Sequence, residues 1–213
     1  MRVSNNQILR DQMRCMALGF NPGALDGLYG PRTHVAYTSA VTAQKQKGLP
    51  FRHPTGTDRI AIHWTGGPHK ANDTDKKSYH VLVEGDGNII LTTGALGNNG
   101  AWMVRSHTWR FNTGAIGLSM CCMGGAVERP YDPGFAPMTP IQLAAMCGEA
   151  ARLCKLYDIP VTPWSTYTHA EVQPRFGVVQ KQKWDITILP GMDKPMDALV
   201  VGDMIRDRIR AKM

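Results

Sequence analysis

The dipeptide Asp86-Gly87 stands between two short strand-like runs, 79–84 and 88–92. Asp-Gly supplies the positive-φ positions of a tight turn, so these runs are predicted as the arms of a hairpin. Apolar runs at 59–64 and 115–122 are further strand candidates. Thr139 followed by Pro140 reads as an N-cap and first helical residue, opening a helix through Leu143, Cys147, Ala150 and Cys154. The C-terminal stretch repeats Val201, Met204, Ile205 and Ile209 on one helical face, with Asp203, Arg206, Asp207 and Arg210 elsewhere. Clustered strands followed by helices predict a mixed α/β fold for the main domain.

Ahead of this lies a different pattern. Ile8, Leu9, Met13, Met16 and Leu18 recur at helical spacing, 19–33 breaks into turns, and a second short helix is predicted from Thr33 towards Gln44. The chain then turns polar, with Lys45, Lys47, Gly48, Pro50, Pro54 and Gly56, the composition of a linker. The expected organisation is a small module over 1–44, a linker over 45–57 and a main domain over 58–213. A chain of 213 residues with 43% hydrophobic content is able to fill such a core.

The first residues lack the apolar stretch of a secretory leader, and no run is long enough to span a bilayer. The expectation is a product held in the cytoplasm until something else releases it. Five cysteines without a CxxC pair read as reduced thiols, and Cys121, Cys122, Cys147 and Cys154 are expected to be buried. A net charge of +7 and a pI near 9.3 favour a polyanionic partner: nucleic acid, an anionic envelope surface or acidic wall peptides. No aromatic-basic stripe or nucleic-acid motif supports the first, so nucleic acid is not expected as a partner.

Chemistry centres on His63 at a strand end, His169 in THAEV and Asp185 in KWD. Any one of these is read most simply as a core hydrogen-bonder or a surface charge. Taken together, two imidazoles and a carboxylate leave a fourth tetrahedral position open, as a catalytic zinc requires.

The segments IAIHWTGG, YHVLVEGDG, NTGAIGLSM, THAEV and KWD resemble, in that order, the amidase-2 superfamily, which includes phage amidase endolysins and animal peptidoglycan recognition proteins. The resemblance spans about 59–191. It implies a zinc amidase fold, α/β with a mixed central sheet flanked by helices, Zn2+ on His63, His169 and Asp185, and catalytic roles for Tyr79 and Lys183. The implied reaction is hydrolysis of the amide between N-acetylmuramic acid and L-alanine in bacterial peptidoglycan. Cationic Lys183 suits stabilisation of an oxyanion, and Tyr79 suits a hydrogen bond to the attacking water or the leaving nitrogen. Wall-recycling members carry a glutamate where this chain has Ser119, which points to the phage and recognition-protein branch. His80, His107 and Asn112 are candidate substrate-contact residues. His80 alternatively faces the other side of its strand, since neighbours alternate, and His107 and Asn112 are equally read as loop residues.

The segment LGFNPGALDGLYGPRTHVAY, within about 6–44, resembles the peptidoglycan-binding-type-1 module, a three-helix unit. Asp26, Gly27, Gly30, Pro31 and Thr33 match its tight loop, with Thr33 expected to cap the next helix. Tyr29 and Arg32 are candidates for glycan contact. The composite expectation is a monomeric phage or prophage endolysin. The alternatives are a non-catalytic recognition protein and a cytosolic wall-recycling amidase. The C-terminal helix is a candidate for membrane contact, against the plainer reading of a helix packed on its domain.

Overall fold

The computed structural model describes residues 5–53, 55–92, 96, 105–181 and 183–213. Five strands form one sheet in the order β3-β2-β4-β1-β5: β1 (Arg59–Trp64), β2 (Val81–Val83), β3 (Ile89–Leu91), β4 (Ala115–Met120) and β5 (Thr166–Thr168). β1 pairs in parallel with β4 and β5, β2 pairs in parallel with β4, and only the β2–β3 hairpin at Asp86-Gly87 is antiparallel. Every residue of β1 and β4 is buried, as befits parallel strands covered on both faces.

Alternation along β1 divides the work between the faces. Ile60, Ile62 and Trp64 join Ile116, Leu118 and Met120 in the main core. That core is covered by α4 (Pro140–Leu156) and α6 (Ala198–Arg210). Thr139 caps α4 through its side chain, accepting from the Gln142 amide at 3.0 Å. The apolar face of α6, which suggested a membrane contact, is turned into this core through Val201, Ile205 and Ile209. No described helix is long and apolar enough to cross a membrane. All five cysteines are buried free thiols.

The opposite face carries Ala61 and His63 of β1 beside Gly117 and Ser119 of β4, in the register Ala61 to Gly117 and His63 to Ser119. Small residues here leave depth for a site. A Cβ on Gly117 would stand 2.6 Å from the His107 ring, so the histidine can lie against β4 only because position 117 is glycine.

Two helices, α1 (Asn5–Ala17) and α2 (Pro31–Gln46), precede the sheet, where the resemblance implied a three-helix unit. The DGxxGP loop between them is wrapped on buried Gln12. Its amide nitrogen donates to Asp26 and to the Leu28 carbonyl, and its oxygen accepts from the Gly27 amide at 2.9 Å. Thr33 does not cap α2: Gly30 is the N-cap with Pro31 following. Thr33 sits buried inside the first turn, its hydroxyl 3.2 Å from Gln12.

Among the described residues of the 45–57 stretch, 45–50 are exposed, but Phe51 and Thr57 are buried. α2 runs on to Gln46, and Phe51 joins Cys15, Ala36 and Ala40 in a small core. Arg14 reaches the Phe51 carbonyl at 3.0 Å and Asp158 at 2.8 Å, and Met13 enters the cluster of Ala61, Ala115 and Tyr167. Composition signalled a linker because its polar side chains dominate. The one aromatic and the carbonyls that dock it carry no such signature.

Candidate metal centre

His63 is the fifth residue of β1, and its place in the alternation turns it away from α4. His169 comes by a different route: β5 ends at Thr168, and α5 (His169–Phe176) begins at the next residue. Glu171 ties that junction by accepting from the Thr168 amide at 2.8 Å. Glu171 is itself clamped from α6 by buried Arg206, which donates to both carboxylate oxygens at 3.0 and 2.9 Å and to the Thr166 carbonyl. A Cβ on Gly202 would stand 2.2 Å from that carboxylate, so α6 approaches this closely only through a glycine. Asp185 arrives on the loop after α5. Its carbonyl accepts from the Ala170 amide at 2.6 Å, and neighbouring Trp184 packs edge-on against Trp64.

These three independent supports bring His63 Nδ1, His169 Nδ1 and Asp185 Oδ2 into a triangle with all three sides 3.1 Å. Ligands about 2.0–2.1 Å from a tetrahedral zinc stand roughly 3.3 Å apart, so the triangle matches one face of such a tetrahedron. The donors fit chemically as well. Burial takes His63 down to about 4, so its ring is neutral with a lone pair to give. Burial alone would raise Asp185, but the adjacent His169 and His63 bring it down to about 2, keeping it a carboxylate. His169 is held above its ordinary value against burial, by Asp185 and Gln180. Among the described residues, these three are the group able to hold a metal ion.

The triangle lies in a groove of about 850 Å³ that is open to solvent and lined by Trp64, Tyr79, Trp109, Lys183 and Trp184 among others. Tyr79 and Lys183 are therefore gathered with the three donors, although KWD and YHVLVEGDG lie about a hundred residues apart. Tyr79 is in extended backbone just after α3 (Asp73–Ser78), with its ring 5.3 Å from that of His63. Burial, and then the charge of Asp185, push its phenol well above the ordinary value, so it keeps its proton at neutral pH. Tyr79 is thus equipped to donate a hydrogen bond and not to act as a base.

The three candidate substrate residues are placed differently. His80 is buried beneath the groove and does not line it: its Nδ1 accepts from the Gly117 amide at 2.9 Å. His107 lines the groove although its side chain is buried, with Nδ1 3.1 Å from His63 Nε2, and burial next to His63 lowers it well below the ordinary value. Asn112 touches the groove, yet its Oδ1 accepts from the His107 and Thr108 amides at 3.1 and 2.7 Å. Gln180, which carried no sequence signal, is 3% exposed with Oε1 2.9 Å from His169 Nε2. Tyr29 and Arg32 are both exposed on the N-terminal helix pair, where the Tyr29 hydroxyl lies 3.3 Å from His34.

A mixed sheet that brings two imidazoles, a carboxylate, a phenol and an ammonium into one groove defines a hydrolytic enzyme. Residues 53–191 match the model of the Amidase_2 family, described as N-acetylmuramoyl-L-alanine amidase, and the chain belongs to that family. Among solved structures, one similar chain is the Ph2119 endolysin from Thermus scotoductus MAT2119 bacteriophage Ph2119. It is 17% identical, covering 71% of this chain and 84% of that one, with a TM-score of 0.41. No curated protein sequence matches.

Proposed function

We propose that this peptidoglycan amidase is zinc-dependent, cuts between the lactyl group of N-acetylmuramic acid and L-alanine, and serves as an endolysin released from the host cytoplasm onto the wall. The observation that carries the reading is the 3.1 Å triangle of His63, His169 and Asp185 at the head of an open groove. When bound there, zinc supplies Lewis acidity towards the attacking water and the amide carbonyl. Lys183, exposed on the groove wall, offers a cation to the negative charge that develops on the carbonyl oxygen. Tyr79 keeps its proton and donates it in a hydrogen bond to the oxygen or nitrogen at the reacting centre. Buried Ser119, paired with His63 across β1 and β4, stands where a recycling enzyme has a carboxylate, which favours the endolysin branch.

Lys183→Ala is expected to keep zinc while losing about 10²- to 10³-fold in kcat, the scale of one lost oxyanion donor. A raised KM with unchanged kcat would make Lys183 a binding residue. The reaction itself is tested on purified sacculi by the mass of the released products. New N-terminal L-alanine with intact glycan is expected. New reducing ends, or cleavage within the stem peptide, would contradict the assignment.

The N-terminal helix pair is proposed to add wall affinity from the surface that carries Tyr29 and Arg32. Tyr29→Ala with Arg32→Ala is expected to weaken sacculus pelleting while leaving cleavage of a soluble muropeptide unchanged. Unaltered pelleting would remove that role.

A further inference from the structure

We infer that the loop 105–112 is a common outer support for both histidine ligands, with His107 and Gln180 as positioning residues and Asn112 as the brace that shapes the loop. The inference rests on the metal reading proposed above.

The His169 arm is the more tightly determined. The Gln180 amide nitrogen lies 3.0 Å from the Trp109 carbonyl and 3.3 Å from that of Val178. Both partners are acceptors, so that end of the amide must be the NH2 and the end facing His169 must be the oxygen. His169 Nε2, 2.9 Å from that oxygen, therefore carries the ring hydrogen, and its Nδ1 presents a lone pair to the centre. One buried amide thus sets the tautomer of a ligand and ties it to the backbone of the 105–112 loop.

The His63 arm ends on the same loop. His63 Nε2 lies 3.1 Å from His107 Nδ1 and 3.4 Å from Thr108 Oγ1, both able to accept its ring hydrogen. His107 then places its own hydrogen on Nε2, which is 3.4 Å from the Ala115 carbonyl. Asn112 Oδ1 accepts from two successive loop amides, fixing the turn from which His107 and Thr108 project. Outer partners of this kind orient metal-ligating imidazoles and raise their basicity, and losing one typically weakens metal binding by about 10- to 100-fold. Here two ligands 106 residues apart depend on one eight-residue loop, so their geometry is coupled.

The test measures the zinc dissociation constant of the full-length chain by chelator competition, with the visible spectrum of the cobalt-substituted protein as a report on ligand geometry. Gln180→Leu is expected to bind zinc about 10- to 100-fold more weakly and to alter the cobalt spectrum. Gln180→Glu retains an acceptor for His169 but turns a carboxylate oxygen towards the Trp109 and Val178 carbonyls, so it should also weaken zinc, through loss of the tie to the loop. Asn112→Ala, which touches neither imidazole, should weaken zinc by about 10-fold, where a purely substrate-contacting asparagine would leave it unchanged. Parent-like affinity and spectrum in both Gln180→Leu and Asn112→Ala would overturn the inference, as would parent-like affinity in Gln180→Glu, which breaks the tie to the loop while keeping the acceptor for His169. Should Gln180→Leu fail to fold, Asn112→Ala decides alone by the same criterion. A parent chain that takes up no zinc overturns the underlying metal reading, and that is visible before any variant is compared.

Discussion

The two ends of strand β1 are both polar and buried, yet they are built on opposite plans. At its start, Asp58 pairs with both Arg59 and Arg10 of α1, and the Arg59 guanidinium also lies 4.6 Å over the Phe111 ring. Both guanidiniums there share the one Asp58 carboxylate, which leaves that end cationic by one charge. Near the other end, His63, His169 and Asp185 aim lone pairs at one point, with their outer atoms held by Gln180 and by His107. Burial is similar at both ends, but only the second set is matched to a cation. Buried polarity alone therefore does not mark a functional site: the sign and direction of the groups do.

The largest contrast is expected from removing one carboxylate at each end. Asp185→Ala should lose zinc by more than the roughly 100-fold that an outer partner costs, and hydrolysis should fall to background while the fold persists. Zinc analysis and circular dichroism check both halves of that statement. Asp58→Ala should do the reverse, costing about 3–5 kcal/mol of stability by leaving buried arginines without their anion while zinc affinity stays unchanged. A folded Asp58→Ala chain with lost zinc would break the comparison.

Packing between α1 and the sheet gives the next effect. Met13 is buried against Ala61, Ala115 and Tyr167, so Met13→Ala should cost about 2–5 kcal/mol in denaturant unfolding without changing soluble-substrate kcat. The same docking predicts that a chain beginning at Arg52 is destabilised, because it uncovers that cluster and removes Arg10 from Asp58 and Arg14 from Asp158. A truncated chain as stable as the whole would show that the helix pair is merely tethered.

The smallest effect is in pH. In the metal-free protein, burial keeps His63, at about 4, and His107 neutral when folded, whereas both titrate near 6.5 when unfolded. The unfolded chain then binds protons first, so stability should decline as pH falls from about 6.5 towards 4. His169, raised beside Asp185, acts in the opposite sense and limits the decline. Saturating zinc should flatten the profile down to the pH at which zinc is released, and a metal-free profile that rises on acidification would contradict the neutral assignment.

Much of this was legible in the sequence where the signal is local. The Asp86-Gly87 turn, the Thr139-Pro140 helix start and the amphipathic C-terminal helix each follow from a few adjacent residues. The three residues of the candidate metal site, His63, His169 and Asp185, were singled out through their flanking motifs, and the structure brings them together. β5 and α3 were not, because three strand residues and six helical ones are too few to establish a period, and α5 carries Pro174 within its eight. Gln180 and His107 were missed as supports for a further reason. Their roles lie in contacts 11 and 44 residues away along the chain, to His169 and His63, which no local pattern encodes. The packed stretch around Phe51 was masked by its polar neighbours in the same way.

The central claim is that the His63–His169–Asp185 triangle is a zinc site on which the amidase reaction depends. Its most direct test is a titration of chelator-stripped full-length protein with zinc, following bound metal and hydrolysis of a soluble muropeptide in the same samples. The account predicts that activity is absent at the start and rises linearly to a plateau at one zinc per chain, with Asp185→Ala recovering neither signal. Full hydrolysis by the stripped protein, or an Asp185→Ala chain that regains activity at the same stoichiometry, would contradict it.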